Sequence, residues 1–494
     1  MGIVLRLASP WLMDIRADGN TYAAMGWAWA KSGTLTMPWG DVTTWGPLPP
    51  SPSNHYPPMW PVVLGVVYKV FGWGLWQTKI TGVAASLAAL ASVWWTTRDL
   101  YGQRTAAITT ALLSLEPHLL WATGTGFSEN FVLILFAATM WSNLKSLQDD
   151  RWVVLAGLFA GLAYLTRASI GSFFIVAGVG GFVWRFAYRR WRLFTNVWYM
   201  LAIVIFGILV LSWATRNVLL FGYQETTLAF GSWSWTFDKP LWETSSYTRF
   251  VQGRAFSEPA NWRHALLMKT PFFAVFLAWW IGPMLPEAWR GLKRAREEHT
   301  SALIMSILLI TVIAWIITSM FWVFEKTSLY WFDNHRYIVI ALLPLAWWLL
   351  REVDWSSPSS RVRIALLLAS LMFASAAVVV APPRYADTTA AIALEPLLQP
   401  GDTIGVDRGT NKYSFYAYLS HPDDVEIYGW AADERWPDFL VTLKTATRYP
   451  DNYTRLGTFE QPYWTGGVVR AALYAHDDVV GERNLTAIKT PAGR

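Results

Sequence analysis

Residues 196–215 read NVWYMLAIVIFGILVLSWAT and contain no Asp, Glu, Lys or Arg. A helix needs about 20 consecutive apolar residues to cross the bilayer core, so this stretch predicts a transmembrane helix. The run Met1–Met13 is apolar but too short to cross alone, and we expect it to be part of an incomplete first span. The other apolar runs of suitable length cover residues 76–97, 105–123, 129–146, 152–166, 170–187, 266–285, 301–323, 336–350 and 363–381. The chain is therefore expected to be a polytopic α-helical membrane protein with about eleven spans.

The overall composition agrees with many spans. Of the 494 residues, 54% are hydrophobic and only 15% are charged, whereas a soluble chain carries about a quarter charged residues. The 33 Trp and 20 Tyr suit the membrane–water interface, where an apolar ring with a polar tip is favoured. We attribute the net charge of +6 to basic membrane loops and expect no nucleic-acid partner. The absence of cysteine excludes disulfides and thiolate chemistry.

Basic residues fall in alternate loops of the predicted topology. The five clusters are Arg98 with Arg104, Lys145 with Arg151, Arg185 to Arg192, Arg290 to Arg296, and Arg351 to Arg363. The positive-inside rule makes these loops cytoplasmic. The other side then receives residues 14–75, 124–128, 216–265, 324–335 and the tail. This topology requires that Pro57–Phe71 does not cross, and a short interfacial or re-entrant helix meets that condition.

The tail differs from the rest of the chain. We divide the sequence into a transmembrane domain, residues 1–381, and a small extracytoplasmic α/β domain, residues 382–494. The tail is polar, with strands predicted at Thr403–Val406 and Val468–Tyr474. A helix is predicted over Asp387–Leu398, with Asp387 as its N-cap and Pro396 favouring an early end.

Three acidic residues near the outer ends of spans are candidates for chemistry. Asp18 precedes Thr21–Thr34, whose apolar residues recur at helical spacing and predict a helix on the membrane surface. Glu129 begins a span, and Glu116 lies inside the preceding one, where a charge is costly and usually functional. Each has a structural alternative, since Asp18 and Glu129 can cap helices and Glu116 can pair with a neighbouring His or Lys.

Basic residues also gather at the outer ends of spans. They are Lys79, Arg167, Arg216, Lys269 and Arg336. One such residue is an ordinary interfacial anchor. Five of them on the predicted extracytoplasmic side, where basic residues are not expected to accumulate, favour a phosphate site. Arg binds phosphate as a bidentate fork and Lys as a point charge. No HExxH, Walker A or GxGxxG motif is present, so neither a metal nor a nucleotide site is indicated.

Several short motifs occur in a recognisable order. They are Asp18-Gly19-Asn20-Thr21-Tyr22, Tyr56-Pro57-Pro58 leading to Phe71-Gly72, Lys79, Ser128-Glu129, Leu165-Thr166-Arg167, Arg216-Asn217 and Arg336-Tyr337. Over residues 6–350 this pattern resembles the C-type superfamily of glycosyltransferases that use polyprenyl-phosphate-sugar donors. That superfamily includes the protein O-mannosyltransferases and the lipid A aminoarabinose transferase.

The resemblance implies an inverting glycosyltransferase of the cell membrane, with its site on the extracytoplasmic face. Asp18 would be the general base and Glu129 the second acid. The donor would be a sugar, mannose or another hexose, on dolichyl or undecaprenyl phosphate, and the acceptor a protein, lipid or glycan. The phosphate of the donor would be bound by Lys79, Arg167, Arg216 and Arg336. Tyr22, His55, Tyr56 and Glu116 would belong to the substrate loop.

One position departs from the family pattern. Gly19 stands where many relatives have Glu, which puts a paired-carboxylate metal site in doubt. No cofactor is therefore predicted, and a divalent metal is left open.

Two other functions compete with this interpretation. A transporter or lipid flippase would place ionisable or broken-helix sites near the bilayer midplane and show two similar halves, and only Glu116 fits. A membrane scaffold without activity would leave the acidic loops around Asp18 and Glu129 unexplained.

Overall fold

The computed structural model describes most of the chain. The described residues are 1–15, 17–40, 50–53, 56–167, 196–225, 278–298, 304, 339–380, 386–407, 412–430, 436–442, 452–462, 468–486 and 488. The predicted spans 170–187 and 301–323 therefore lie outside this part of the chain, apart from residue 304, and so do His55, Lys269 and Arg336.

The regular elements described in the first 380 residues are helices and one short strand pair. The helices are α1 Gly2–Leu12, α2 Ala17–Ser32, α3 Met59–Phe71, α4 Leu75–Ser114, α5 Pro117–Gly124, α6 Glu129–Lys145, α7 Trp152–Thr166, α8 Val197–Glu225, α9 Leu285–Glu297, α10 Val339–Arg351 and α11 Pro358–Val380. Within the described residues, α4, α8 and α11 are long and apolar enough to cross a membrane. Helix α4 is interrupted at Gly102, whose φ of 84° is not helical, so it consists of two helices that meet near Asp99. The predicted class of helical membrane protein is confirmed, whereas the number of eleven spans is not.

Some predicted boundaries agree closely and one is wrong. The predicted spans 129–146 and 152–166 correspond to α6 and α7. The predicted span 105–123 is not continuous, because α4 ends at Ser114 and α5 begins at Pro117. Pro117 supplies no backbone N–H, and the Glu116 side chain accepts a hydrogen bond from the amide of Leu119 as the cap of a new helix.

The basic loops meet at one end of the helices. Lys145 pairs with Asp99 at 2.7 Å, which joins the first two predicted clusters. The Trp347 indole donates to the Thr97 hydroxyl at 2.7 Å, and this contact brings the end of α10 to the same place. Three more ion pairs, Arg294–Glu352, Arg351–Glu298 and Arg363–Glu287, join α9, α10 and α11 there. The contacts therefore agree with the grouping of loops predicted from charge, as far as these loops are described.

The tail forms a mixed five-stranded sheet with short helices. After the short pair β1 Thr36–Met37 and β2 Ser51–Pro52, the chain forms β3 Thr403–Asp407, β4 Glu426–Trp430, β5 Phe439–Thr442, β6 Tyr453–Pro462 and β7 Val468–His476. The strand order is β4-β3-β5-β7-β6, with β3 parallel to β4 and β5 and the remaining pairs antiparallel. The other elements are α12 Ala386–Leu394, a 3₁₀ turn Glu395–Leu397, a 3₁₀ helix Lys412–Tyr418 and α13 Asp477–Arg483. The predicted α/β character is confirmed.

The predicted tail helix is shorter than expected. It ends at Leu394, and the 3₁₀ turn that follows contains Pro396, as the early end predicted from this proline implies. Asp387 lies in the first turn of α12, where its Oδ1 accepts a hydrogen bond from the amide of Thr388 at 2.9 Å.

Helix α2 is covered on two sides. It packs against α3 and against the 3₁₀ helix Lys412–Tyr418. One hydrophobic core contains Met25 from α2, Trp60 from α3, and Ile404 and Tyr416 from the tail. The sequence predicted a helix lying on the membrane surface. In the structure α3 and the tail cover this helix, and four successive residues, Tyr22 to Met25, are buried, so its apolar residues occupy more than one face. Residues 14–75, which we call the outer loop after their predicted side, thus share a core with the tail.

Candidate active site

Asp18 lies in the first turn of α2, next to two tyrosines. The Tyr56 hydroxyl donates a hydrogen bond to Oδ1 of Asp18 over 3.1 Å. Tyr22 lies one turn further along the helix, and its ring meets that of Tyr56 edge to face at 5.0 Å between centroids. The Asp18 side chain is half-buried, so a reacting group has access to it. The positive end of the helix macrodipole lies beside this carboxylate.

Glu129 and Arg167 form a buried ion pair. Glu129 is the first residue of α6, and Arg167 directly follows the last residue of α7. Nη1 of Arg167 donates to Oε1 of Glu129. The two residues are 3% and 6% exposed, so the charges interact in a poorly hydrated environment where their attraction is strong.

Tyr22 joins these two groups of residues. Burial raises the pKa of the Tyr22 hydroxyl to about 12. The positive charge of Arg167 lowers this pKa, and the negative charges of Asp18 and Glu129 raise it. All three charges must lie near the hydroxyl to act on it. The structure therefore brings Asp18, Tyr22, Tyr56, Glu129 and Arg167 into one site.

Gly19 allows α2 to approach the turn before α6. A Cβ at this position would lie 2.2 Å from the carbonyl oxygen of Thr125 and 2.8 Å from Ile15. Gly126, which follows Thr125, has a φ of 76°, and its carbonyl oxygen accepts a hydrogen bond from the Trp60 indole at 3.1 Å. A Glu at position 19 would therefore require these two segments to separate.

The packing around Gly19 decides whether positions 18 and 19 can form a metal site. A paired-carboxylate site at positions 18 and 19 does not fit, because a side chain at position 19 would meet the Thr125 carbonyl oxygen. In the part of the chain that the structure describes, no three His, Asp or Glu residues converge as metal ligands would.

Lys79 contacts the end of α1. Its Nζ donates to the carbonyl oxygens of Pro10 and Met13 at 2.6 and 2.8 Å. Pro10 lies in the last turn of α1 and Met13 directly follows it, so Lys79 lies at the C-terminal end of the helix, where a cation is favourable. Lys79 is thus engaged by backbone near Asp14, and its predicted contact with the donor phosphate stays a prediction.

Arg216 reaches the loop that carries Tyr56. Its Nη1 donates to the carbonyl oxygen of Ser53 and to Oδ1 of Asn217, both at 2.7 Å. The guanidinium also lies over the Trp213 ring, 4.5 Å from its centroid. This cation is therefore held on the Tyr56 side of the site.

Glu116 has the structural role that the sequence left open. Its Oε1 contacts Nδ1 of His118 at 2.6 Å, and its Oε2 caps α5. Both side chains are almost fully buried. These contacts favour a structural role for Glu116, paired with His118, over a role in the substrate loop.

Arg6 is a site-supporting residue that the sequence interpretation missed. Its guanidinium is fully buried and donates to Ser86, to Thr123 at 3.2 Å and to the Leu113 carbonyl at 2.8 Å. It also contacts Oδ1 of Asn130, the neighbour of Glu129, at 3.5 Å. A single arginine in the apolar run Met1–Met13 was the available signal.

Part of the chain matches a family model, and its fold matches solved structures. Residues 55–214, about a third of the chain, match the family described as dolichyl-phosphate-mannose-protein mannosyltransferase. No curated protein sequence matches the chain.

Two crystal structures of ArnT from Cupriavidus metallidurans have a similar fold. The apo structure gives a TM-score of 0.57 at 14% identity and covers 96% of each chain. The structure bound to undecaprenyl phosphate gives 0.56 at 15% identity and covers 95% of this chain and 96% of that one. The Archaeoglobus fulgidus oligosaccharyltransferase in complex with Zn and sulfate gives 0.53 at 15% identity, covering 87% of this chain and 62% of that one.

These comparisons confirm the resemblance found in the sequence. At such low identity the solved structures establish the fold alone, which this chain shares with ArnT and with the archaeal oligosaccharyltransferase. The family match supplies the class of enzyme, a glycosyltransferase, and favours it over the transporter and the scaffold.

Proposed function

Because the chain has the C-type glycosyltransferase fold and matches a mannosyltransferase family over residues 55–214, we propose that it transfers a sugar from a polyprenyl phosphate to an acceptor hydroxyl. The observation that carries this proposal is that the segment with Asp18 packs against the turn that leads into the buried Glu129–Arg167 pair, since a Cβ at Gly19 would lie 2.2 Å from the Thr125 carbonyl oxygen. A base and a cation close together are what transfer from a phosphate carrier requires.

Asp18 acts as the general base in this proposal. Its carboxylate takes the proton of the acceptor hydroxyl as the oxygen attacks the anomeric carbon of the donor. The bond from that carbon to the phosphate oxygen breaks on the opposite face, so the anomeric configuration is inverted. The Tyr56 hydroxyl, 3.1 Å from Oδ1, orients the carboxylate for this step.

Cations stabilise the departing lipid phosphate. Negative charge develops on the phosphate oxygen as the glycosidic bond breaks, and preorganised cations lower the free energy of that transition state. Arg167 is held by Glu129 and Arg216 by Ser53 and Trp213, so both have defined positions. Lys79 and Arg336 complete the phosphate site that the sequence predicts.

The site opens on the extracytoplasmic face of the cell membrane. The basic loops meet at one end of the helices, and the positive-inside rule makes that end cytoplasmic. Asp18 and Glu129 lie in the segments assigned to the other side, and the tail covers α2 there. The similar ArnT structure bound to undecaprenyl phosphate supports a polyprenyl phosphate carrier. The acceptor hydroxyl belongs to a protein, a lipid or a glycan.

Replacing Asp18 tests this function. We expect purified Asp18→Asn protein in liposomes to transfer mannose from polyprenyl phosphate mannose at least about 100-fold more slowly, because general bases contribute about 10²–10⁴-fold. Asn is nearly isosteric, so thermal unfolding should match the wild type. The control is Asp354→Asn, an exposed acid between α10 and α11, which should keep wild-type activity. Full activity of Asp18→Asn would remove this residue from its role.

A further inference from the structure

The 3₁₀ helix Lys412–Tyr418 contacts the chain just before Asp18. The Tyr418 hydroxyl accepts a hydrogen bond from the amide of Ile15 at 2.6 Å and donates to the Ile15 carbonyl at 3.4 Å. One hydroxyl thus binds both backbone groups of a residue three positions before Asp18. Ile15 is 1% exposed, so water does not compete for these groups.

The same 3₁₀ helix contacts the chain just after Asp18. Nδ2 of Asn20 donates to the Ser414 carbonyl at 2.9 Å, and Oδ1 of Asn20 accepts from the amide of Ala417, also at 2.9 Å. Asn20 is fully buried. Its amide therefore joins α2 to the tail by two hydrogen bonds, one in each direction, which fixes both the distance and the orientation of the two segments.

A further set of contacts holds the later part of the outer loop. Nζ of Lys412 donates to the Trp39 carbonyl at 2.5 Å, and the Tyr413 hydroxyl donates to the Gly40 carbonyl at 2.9 Å. The Trp39 ring stacks on that of Tyr413 at 5.2 Å. The seven residues of this 3₁₀ helix thus contact the outer loop at three places.

We propose that the 3₁₀ helix Lys412–Tyr418 of the tail positions the general base, with Tyr418 and Asn20 as positioning residues that act through Asp18. This inference rests on the function proposed above. Hydrogen bonds on both sides of Asp18 restrict the backbone that carries it, and a displacement of about 1 Å can cost about 100-fold in rate. Satisfied buried polar networks of this kind rigidify the segments that they join.

The chemistry of Tyr418 suits this role. Burial raises the pKa of its hydroxyl well above the usual range. The hydroxyl therefore stays protonated at physiological pH and keeps its hydrogen for the Ile15 carbonyl while its lone pairs accept from the Ile15 amide.

The first test is the Tyr418→Phe variant of the full chain. It removes the hydroxyl and keeps the ring. We expect kcat for mannose transfer from polyprenyl phosphate mannose to fall about 10-fold, while the KM for this donor stays within about twofold, because the phosphate-binding cations are untouched. The control is Tyr453→Phe, which removes a hydroxyl that donates to the Pro437 carbonyl within the tail. It should match Tyr418→Phe in thermal stability and the wild type in kcat.

The second test introduces Tyr418→Phe into the Asp18→Asn background. If Tyr418 acts through Asp18, the residual transfer rate of Asp18→Asn should not fall further, because effects of residues that work as a unit are not additive. If Tyr418 had a purely structural role, Tyr418→Phe would lower the transfer rate by the same factor in the wild type and in Asp18→Asn. That result would overturn the proposal. If the residual rate is too low to measure, the kcat and KM of Tyr418→Phe decide.

The outcomes separate this inference from the proposed function. If Asp18→Asn is inactive while Tyr418→Phe equals the wild type, the positioning role is overturned and the function stands. If Asp18→Asn is fully active, the assignment of the base is overturned, and the positioning role with it. Equal losses of kcat in Tyr418→Phe and Tyr453→Phe would also overturn the positioning role.

Discussion

Arg167 and Glu129 pair where the end of α7 meets the start of α6, with both side chains almost entirely buried. Removing one member of a buried ion pair leaves the other charge uncompensated and costs about 3–5 kcal/mol, whereas replacing both is often neutral. The pair can therefore be tested separately for its contribution to stability and for its contribution to the reaction.

We expect Arg167→Met to lower the unfolding temperature and to abolish transfer, because Glu129 is left buried without its cation. The double variant Arg167→Met with Glu129→Gln should recover most of the stability but not the activity, since the donor phosphate still lacks its arginine. Thermal unfolding and the transfer rate check the two parts. Recovery of activity together with stability would show that the pair serves the fold alone.

Tyr56→Phe removes the hydroxyl that contacts Oδ1 of Asp18. We expect kcat to fall about 10-fold with little change in donor KM, since the lost hydrogen bond orients the base and does not bind the phosphate; one such bond is worth about 0.5–1.5 kcal/mol, and more when charged. Tyr68→Phe is the matched control, because its hydroxyl bonds to Thr78 at 2.6 Å and not to Asp18. Equal kinetic effects in the two variants would argue against a specific role for Tyr56.

Gly19→Ala places a methyl group where only 2.2 Å separates it from the Thr125 carbonyl oxygen. The backbone of α2 or of the turn must shift, and overpacking of this kind costs about 1–3 kcal/mol or more. We expect a lower unfolding temperature and a transfer rate reduced at least about 10-fold, because the shift separates Asp18 from Glu129.

The control for this variant is Gly207→Ala in α8, where nothing lies within 4 Å of the new Cβ. Alanine at an open helical position should be neutral or stabilising by up to about 1 kcal/mol. Wild-type stability and activity of Gly19→Ala would contradict the close approach of the two segments.

The sequence predicted the helices and strands that are determined by residues close together in the chain. Helices α6 and α7 agree with their predicted spans within about a residue, because a long apolar run bounded by polar turns has one favourable arrangement in a bilayer. Strands Thr403–Asp407 and Val468–His476 were likewise located by their apolar content and flanking turns. The candidate site residues Asp18, Tyr22, Tyr56, Glu129 and Arg167 were all named from motifs and lie together.

Other features depend on contacts between distant parts of the chain. The break at Glu116 was missed, because hydropathy does not record that a carboxylate can cap a new helix inside an apolar run. The role of Arg6 depends on Ser86, Thr123 and Asn130, which the chain brings together only when folded. The two covers of α2 were missed for the same reason, since periodicity reveals that a face is buried but not what buries it.

The contact between Ile15 and Tyr418 joins residues 403 positions apart. A ribosome makes the N-terminal segment first, so Ile15 and Asp18 leave it long before the residues that hold them in place are synthesised. Under the positioning role proposed above, a chain whose early helices have inserted into the membrane is not yet active. Termination before Lys412 would then leave inserted but inactive chains.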